Sequence, residues 1–424
     1  MRRAFAVIAL FGLVVAGLLP AASAQAATAR FGGADRIEVA VGISQQFDPG
    51  VPVVYIAKES NYPDALTAAP AAALQGGPLL LAPTAWLPAS VVTELERLEP
   101  QRIVVVGGVN SISTVVYSQL SDLAPSISRV GGVDRYEASR NLVTSVFAGA
   151  PMPRLYIATG ANFPDALSAG AAAGSLGAPV LLVDGLRDSL DSPTQDLIAS
   201  LDPDQIVVAG GPVSVPVGIE DDLRELGAPD GVLRLSGADR YETAIAVSSE
   251  AIPEASATFI ATGENFPDAL TGSAWAGRTH TPLLLVTPDC APQGVVDYVT
   301  ATGIVDVTAF GGPVSVSDTA LNMVSCNEYR TPTAHIVYSC EQGLGFDIRN
   351  PNVTSVEATV SADNDGDGVL DEVIMTVDVP AGFWNGYGAV RYYPDGSTTT
   401  VVIQAKGEVL ASLDITPECD TEPT

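Results

Sequence analysis

Three short blocks recur in fixed order along this chain, at intervals of about a hundred residues. Arg30-Phe-Gly-Gly-Ala-Asp-Arg36 returns as Arg129-Val-Gly-Gly-Val-Asp-Arg135 and as Arg234-Leu-Ser-Gly-Ala-Asp-Arg240. Asn61-Tyr-Pro-Asp-Ala-Leu66 returns as Asn162-Phe-Pro-Asp-Ala-Leu167 and Asn265-Phe-Pro-Asp-Ala-Leu270. Ile103-Val-Val-Val-Gly-Gly108 returns as Ile206-Val-Val-Ala-Gly-Gly211 and Val307-Thr-Ala-Phe-Gly-Gly312. The aspartates of the second block are 101 and 103 residues apart, and the glycines of the third 103 and 101. That period is domain-sized, so the chain holds tandem domains and not a solenoid of short repeats.

Within one copy, the runs 53–57, 78–81 and 103–106 are short, apolar and continuous, as in strands buried on both faces. Between them lie the Ala-rich stretch 65–74 and the amphipathic stretch 87–98, and Ser113–Leu123 gives a further helix. Pro63 suits a first helical position and Asp64 a first turn, where the helix dipole favours a carboxylate. The Gly-x-Asp-Arg segment opens one more helix, with Asp35, Asp134 and Asp239 as its caps. Strands alternating with helices give an α/β fold, here a small doubly wound parallel sheet in each copy.

The three blocks, in triplicate over roughly residues 30–325, resemble the type 2 cell-wall-binding repeats of Gram-positive surface proteins. The resemblance implies Rossmann-like, Toprim-like modules packed about a pseudo-threefold axis. It further implies non-covalent attachment to an anionic secondary cell-wall polymer or peptidoglycan-linked glycan, beside a separate effector domain. The copies are not identical: Ser236 replaces the first glycine in the third, and Lys58 stands where the others have Thr159 and Thr262.

Each recurring residue has a functional and a structural reading. Arg36, Arg135 and Arg240 are suited to forked hydrogen bonding to phosphate or carboxylate, or to pairing with an Asp that fixes module packing. Asn61, Asn162, Asn265, Asp64, Asp165 and Asp268 follow a strand at the sheet edge where ligands bind in open α/β sheets. The same Asn-x-Pro-Asp turn also serves as a helix-start signal. The Gly-Gly turns need no ligand, and no Gly-x-Gly-x-x-Gly or Walker lysine accompanies them.

Composition narrows the function classes. Twenty basic against 49 acidic side chains give a net charge of −29, which opposes nucleic-acid binding and requires local basic sites or bridging cations for any anionic polymer. Only two histidines are present, and no nucleophile–base set or metallopeptidase motif can be assembled; threefold repetition serves avidity, not catalysis. Arg2-Arg3, the apolar run 4–19 and Ala22-Ser23-Ala24 read as a secretory signal, with a second cut site after Ala26. No membrane attachment is expected after cleavage, and the expected location is secreted, at the cell wall or surface.

All four cysteines fall late in the chain, and their order suggests the pairs Cys290–Cys326 and Cys340–Cys419 among three possible pairings. Beyond residue 326 the pattern changes to alternation over 353–360, 373–379, 388–393 and 398–405, which reads as a small all-β domain. Between the first two runs lies Asp363-Asn-Asp-Gly-Asp-Gly-Val-Leu-Asp371, a calcium-type loop. Its expected ligands for Ca2+ are Asp363, Asp365, Asp367, Asp371 and the Val369 carbonyl, with Glu372 as an alternative closer. The domain boundaries read from sequence are 1–26, signal; 27–126, 127–231 and 232–328, repeats; and 329–424, β-rich domain. The expected function is a secreted, non-catalytic wall-binding protein. The alternatives are a wall-modifying hydrolase of the amidase-associated kind and a soluble carbohydrate-binding receptor.

Overall fold

A computed structural model describes residues 27–61, 63–327, 332–340, 342–352, 356–365, 369–380, 384–387, 391–394, 397–405 and 408–417. The signal segment lies outside these residues. The first repeat comprises β1 (Ala27–Phe31), α1 (Arg36–Ser44), β2 (Val54–Lys58), α2 (Pro63–Leu66), α3 (Ala68–Gln75), β3 (Leu79–Ala82), α4 (Ala89–Leu98), β4 (Ile103–Val106) and α5 (Thr114–Ser121). The second comprises β5 (Ile127–Val130), α6 (Arg135–Phe147), β6 (Arg154–Thr159), α7 (Pro164–Ser175), β7 (Val180–Val183), α8 (Ser192–Leu201), β8 (Gln205–Ala209) and α9 (Val217–Leu226). The third comprises β9 (Val232–Leu235), α10 (Arg240–Ala251), β10 (Ala257–Thr262), α11 (Pro267–Arg278), β11 (Leu283–Val286), α12 (Gln293–Thr302), β12 (Asp306–Phe310) and α13 (Asp318–Leu321).

The α/β architecture is as expected, but the sheets are out of phase with the sequence repeats. The strand orders are β3-β2-β4-β5, β7-β6-β8-β9 and β11-β10-β12-β1, all parallel. A strand–helix–strand crossover explains the shift: after β4 and α5 the chain returns beside β4 as β5, and only then enters the next module. The opening strand of each repeat therefore completes the sheet of the preceding one. After α13 the chain leaves for the C-terminal region, and the edge of β12 is filled by β1, with Phe31 opposite Phe310. Phe31 stacks on Phe310 at 5.8 Å, and Phe310 on Phe259 at 4.6 Å, which seals the ring.

Helices α3, α7 and α11 converge at the centre, and equivalent positions of the repeat meet there. One layer holds Ala69, Gly170 and Ser273, with the Ser273 hydroxyl donating to the Leu167 carbonyl at 3.0 Å. The next holds Ala73, Gly174 and Gly277, where a Cβ added at Gly174 would lie 3.0 Å from that of Ala73 and 3.2 Å from the Gly277 Cα. Such closeness requires small side chains, which is why these stretches are Ala- and Gly-rich. Asp35, Asp134 and Asp239 cap α1, α6 and α10, each accepting from two first-turn amides.

Cys290 and Cys326 are disulfide-bonded with their Cα atoms 5.0 Å apart, tying the turn after β11 to the segment after α13. Cys340 is also disulfide-bonded, and Cys419 lies outside the described residues. The C-terminal region holds β13 (Thr333–Ser339), β14 (Gly343–Arg349), β15 (Val356–Asp363), β16 (Glu372–Val379), β17 (Trp384–Tyr387), β18 (Thr399–Ala405) and β19 (Glu408–Ile415). Two antiparallel sheets, β13-β14-β17 and β16-β15-β18-β19, share one core that includes Phe346, Ile348, Val360 and Ile403. Of the strand expected over 388–393, residues 391–393 join no ladder and 388–390 lie outside the described residues; the strand that pairs with β14 is the earlier β17. β17 is placed by its ladder with 346–349. Among the described residues, no helix is long and apolar enough to cross a membrane.

Candidate ligand sites at the module junctions

In each sheet the chain reverses its winding between the first strand of the module and the third, so β2/β4, β6/β8 and β10/β12 flank a topological switch point. Crevices at such points, beyond the strand carboxyl ends, are where open α/β sheets take ligands. The Asn-x-Pro-Asp turn leaves one of these strands and the Gly-Gly turn the other, so sequence blocks some forty residues apart meet across the crevice. The third wall comes from the next module, whose Gly-x-Asp-Arg segment follows the borrowed strand.

The junction of the second and third modules is a cavity of about 270 Å3, lined by Asn162, Asp165, Ser214, Asp239 and Arg240 among others. The junction of the third and first is about 390 Å3, lined by Asn265, Asp268, Ser315, Asp35 and Arg36 among others. Asp165 and Asp268 lie at the bottom, 6% and 7% exposed, while Asn162 and Asn265 stay exposed at the rim. Burial pushes both carboxyls above the usual Asp range; a hydrogen bond from Ser214 or Ser315, and the charge of Arg240 or Arg36, offset this in part. The first glycine of each Gly-Gly turn is left-handed, with φ of 99°, 111° and 114° at Gly107, Gly210 and Gly311. A Cβ at Gly210 or Gly311 would collide with the Asp165 or Asp268 carboxylate, so the glycine serves both the turn and the acid above it.

The arginines divide their role between both readings. Arg36 donates to the Glu59 carbonyl at 2.9 Å, Arg135 to that of Gly160 at 2.6 Å, and Arg240 to that of Gly263, each within its own module. Arg36 also stands over the Phe266 ring at 5.8 Å and Arg240 over Phe163 at 6.0 Å, rings of the preceding module. The guanidinium thus faces a ring and a carboxylate across the junction. The first junction uses Asn61, Ser111 and Arg135 at the matching positions, with Val109-Asn110 where the others have Pro-Val. Tyr62 and the Asp64 side chain lie outside what is described.

Two sets of junction residues escaped the sequence reading. Ser214 and Ser315 recur, with Ser111, four residues after the first glycine of the turn, a spacing that could have revealed them. The opening arginines clamp the neighbouring turn: Arg30 donates to Gly311 at 2.9 Å, Arg129 to Gly107 at 2.9 Å and Arg234 to Gly210 at 2.7 Å, all onto carbonyls. In the C-terminal region, Asp363, Asp365 and Asp371 bring one carboxylate oxygen each within 4.8 Å of one another. Asp367 lies outside the described residues, and Val369 is exposed on the same loop.

The repeats match the cell wall binding domain 2 (CWB2) family over residues 30–117, 129–220 and 234–321, more than half of the chain. The chain belongs to this family. The chain is similar to Cwp6 from Clostridium difficile, with a TM-score of 0.64 and 29% identity over 71% of this chain and 48% of that one. Cwp8 from the same organism shares the fold, with a TM-score of 0.63 at 23% identity over 70% of this chain and 51% of its own. In sequence, the chain is 26% identical to the N-acetylmuramoyl-L-alanine amidase LytC of Bacillus subtilis (strain 168) over 76% of its length. It is 27% identical to the Amidase enhancer of that organism over 63% of its length. The match spans 63% and 36% of those two proteins, respectively. Membership in a cell-wall-binding family and these neighbours point to a place at the cell wall.

Proposed function

We propose that this chain is a secreted, non-catalytic protein that attaches to an anionic secondary wall polymer through its three CWB2 junctions. The observation that carries the reading is the repeated assembly of Asn, buried Asp, Ser and Arg at switch points, each shared by two modules. Arg36, Arg135 and Arg240, with Asn61, Asn162 and Asn265, grip polymer charge and hydroxyls, while Asp165 and Asp268 set the electrostatics beneath; Asp64 is their counterpart in the first repeat. A net charge of −29 opposes a polyanion at long range, so the contact depends on these local arginines. Repetition of a weak site three times along a repeating polymer supplies avidity.

The test is co-sedimentation of the purified chain with isolated walls, before and after acid extraction of their anionic polymers. Sedimentation lost on extraction supports the reading, and failure to sediment with untreated walls removes it. A second reading takes its cue from the relatives named amidase and Amidase enhancer, and places the chain with wall hydrolysis. Release of soluble muropeptides by the purified chain would favour it over the first.

The C-terminal loop is proposed to bind Ca2+. Oxygens on an ion at about 2.4 Å cannot be more than about 4.8 Å apart, and the oxygens of Asp363, Asp365 and Asp371 meet that limit. Asp367 and the Val369 carbonyl complete the expected set. Bound calcium would supply positive charge that pins the β15–β16 connection.

A further inference from the structure

The β-to-helix loop of the second module breaks the threefold pattern. It runs over eight residues between β7 and α8, against six between β3 and α4 and six between β11 and α12. The extra length bends over the first turn of α6 and encloses a cavity of about 280 Å3, separate from the junction cavities. Its wall holds Asp134, Tyr136, Asp184, Arg187, Ser189 and Leu190. The first module has Ile37 in place of Tyr136. In the third, Tyr241 is retained, but the loop is shortened, closed by Cys290 and engaged through Asp289 with Arg349 of the β-sandwich at 2.5 Å.

Most charges in this cavity are already spent. Asp184 accepts from the Tyr136 hydroxyl at 3.2 Å, from the Leu186 amide at 3.2 Å and from Arg187 Nε at 3.0 Å. Asp191, at the rim, accepts from the Thr194 amide at 2.9 Å and from Arg140 at 3.0 Å. What remains are the Arg187 Nη groups, the Ser189 hydroxyl and the second oxygen of Asp134, none with a hydrogen bond to the described residues. Around them lie the Tyr136 ring, Val183 and Leu190.

An anion would meet three carboxylates, with one guanidinium committed to Asp184. A metal would find the oxygens of Asp184 and Asp191 already accepting from amides, a tyrosine hydroxyl and arginines, with one free carboxylate oxygen left, on Asp134. A neutral ring bearing several hydroxyls meets neither obstacle. It would use the planar Arg187 fork and Ser189 as donors, Asp134 as acceptor, and the Tyr136 ring and Leu190 against its C–H face. At about 280 Å3 the cavity lies at the lower end of small-molecule sites, the size of a single sugar ring. We infer that the second module carries a fourth ligand site, specific to it, which takes one neutral pyranose unit of a glycan.

The experiment is saturation-transfer difference NMR on the full chain with N-acetylglucosamine and with glucose as separate probes, each challenged with inorganic phosphate. Transfer to at least one sugar is expected, weakened about tenfold or more by Arg187→Ala and less by Ser189→Ala, and unaffected by phosphate. Arg187 is 73% exposed, so its truncation leaves the fold intact, and wall co-sedimentation of the same variants is expected to be retained. No transfer to either sugar, transfer unchanged in both variants, or displacement by phosphate would each overturn the inference. Loss of wall sedimentation in Arg36→Ala/Arg240→Ala with sugar transfer intact separates this site from the junctions.

Discussion

The CWB2 body and the β-sandwich solve the same problem, burying a core, by opposite means. The body converges three helices so closely that equivalent small residues touch, and it shares strands between modules, so no module is complete alone. The sandwich relies on alternation along its strands, as in β18 with every second residue buried. Cooperative coupling through a shared centre makes the body intolerant of added volume there; the calcium proposed at the β15–β16 loop would make the sandwich sensitive to its loop chemistry instead. Two transitions in calorimetry would express that difference.

The largest expected effect is at the centre. Gly174→Leu forces side-chain atoms into Ala73 and Gly277, and we expect a loss of about 3 kcal/mol, read as a lower melting temperature of the body with the sandwich unchanged. If both transitions fall together, the two regions are one cooperative unit and the comparison fails. Next, Cys326→Ser removes the staple that closes the third module, at a cost of about 3 kcal/mol by urea unfolding, again confined to the body. Calcium chelation, or Asp363→Asn with Asp365→Asn, should do the reverse, lowering only the sandwich transition by several degrees. A body transition that shifts with calcium would break the distinction.

The smallest effect is electrostatic. Burial raises the carboxyls of Asp165 and Asp268, so the folded body holds their protons more tightly than the unfolded chain does. Stability therefore decreases as pH rises from the ordinary Asp range through the raised folded values, and increases on acidification across that window. Asp165→Asn and Asp268→Asn should flatten this slope in melting temperature against pH, whereas the sandwich transition keeps its own.

Much of the body was legible because its signals are local. Asp35, Asp134 and Asp239 announce caps, Pro164 and Pro267 announce helix starts, and the apolar run at 103–106 announces a buried strand. Their recurrence gives the module count. The phase of the sheets was not legible: Ile127–Val130 and Val232–Leu235 are short, half-buried edge strands, and nothing in four such residues says which sheet they join. The junctions were half legible for the same reason. Asn, Asp and Arg could be singled out as types, but that Arg240 faces Asp165 and Arg36 faces Asp268 depends on the strand exchange. In the sandwich, β13, β14 and β19 escaped notice, since partial exposure along β13 and the glycines of β14 blur the alternation.

The pairing of β1 with β12 gives the body an order of events. A segment near residue 30 is an early product of synthesis, yet its place exists only once residues near 306–310 are in position. The earliest piece is thus the last to be set, and every shorter version of the body, stopped before the third module, carries an unfilled sheet edge and an idle strand. Completion of the ring is a physical record that the whole body has been made.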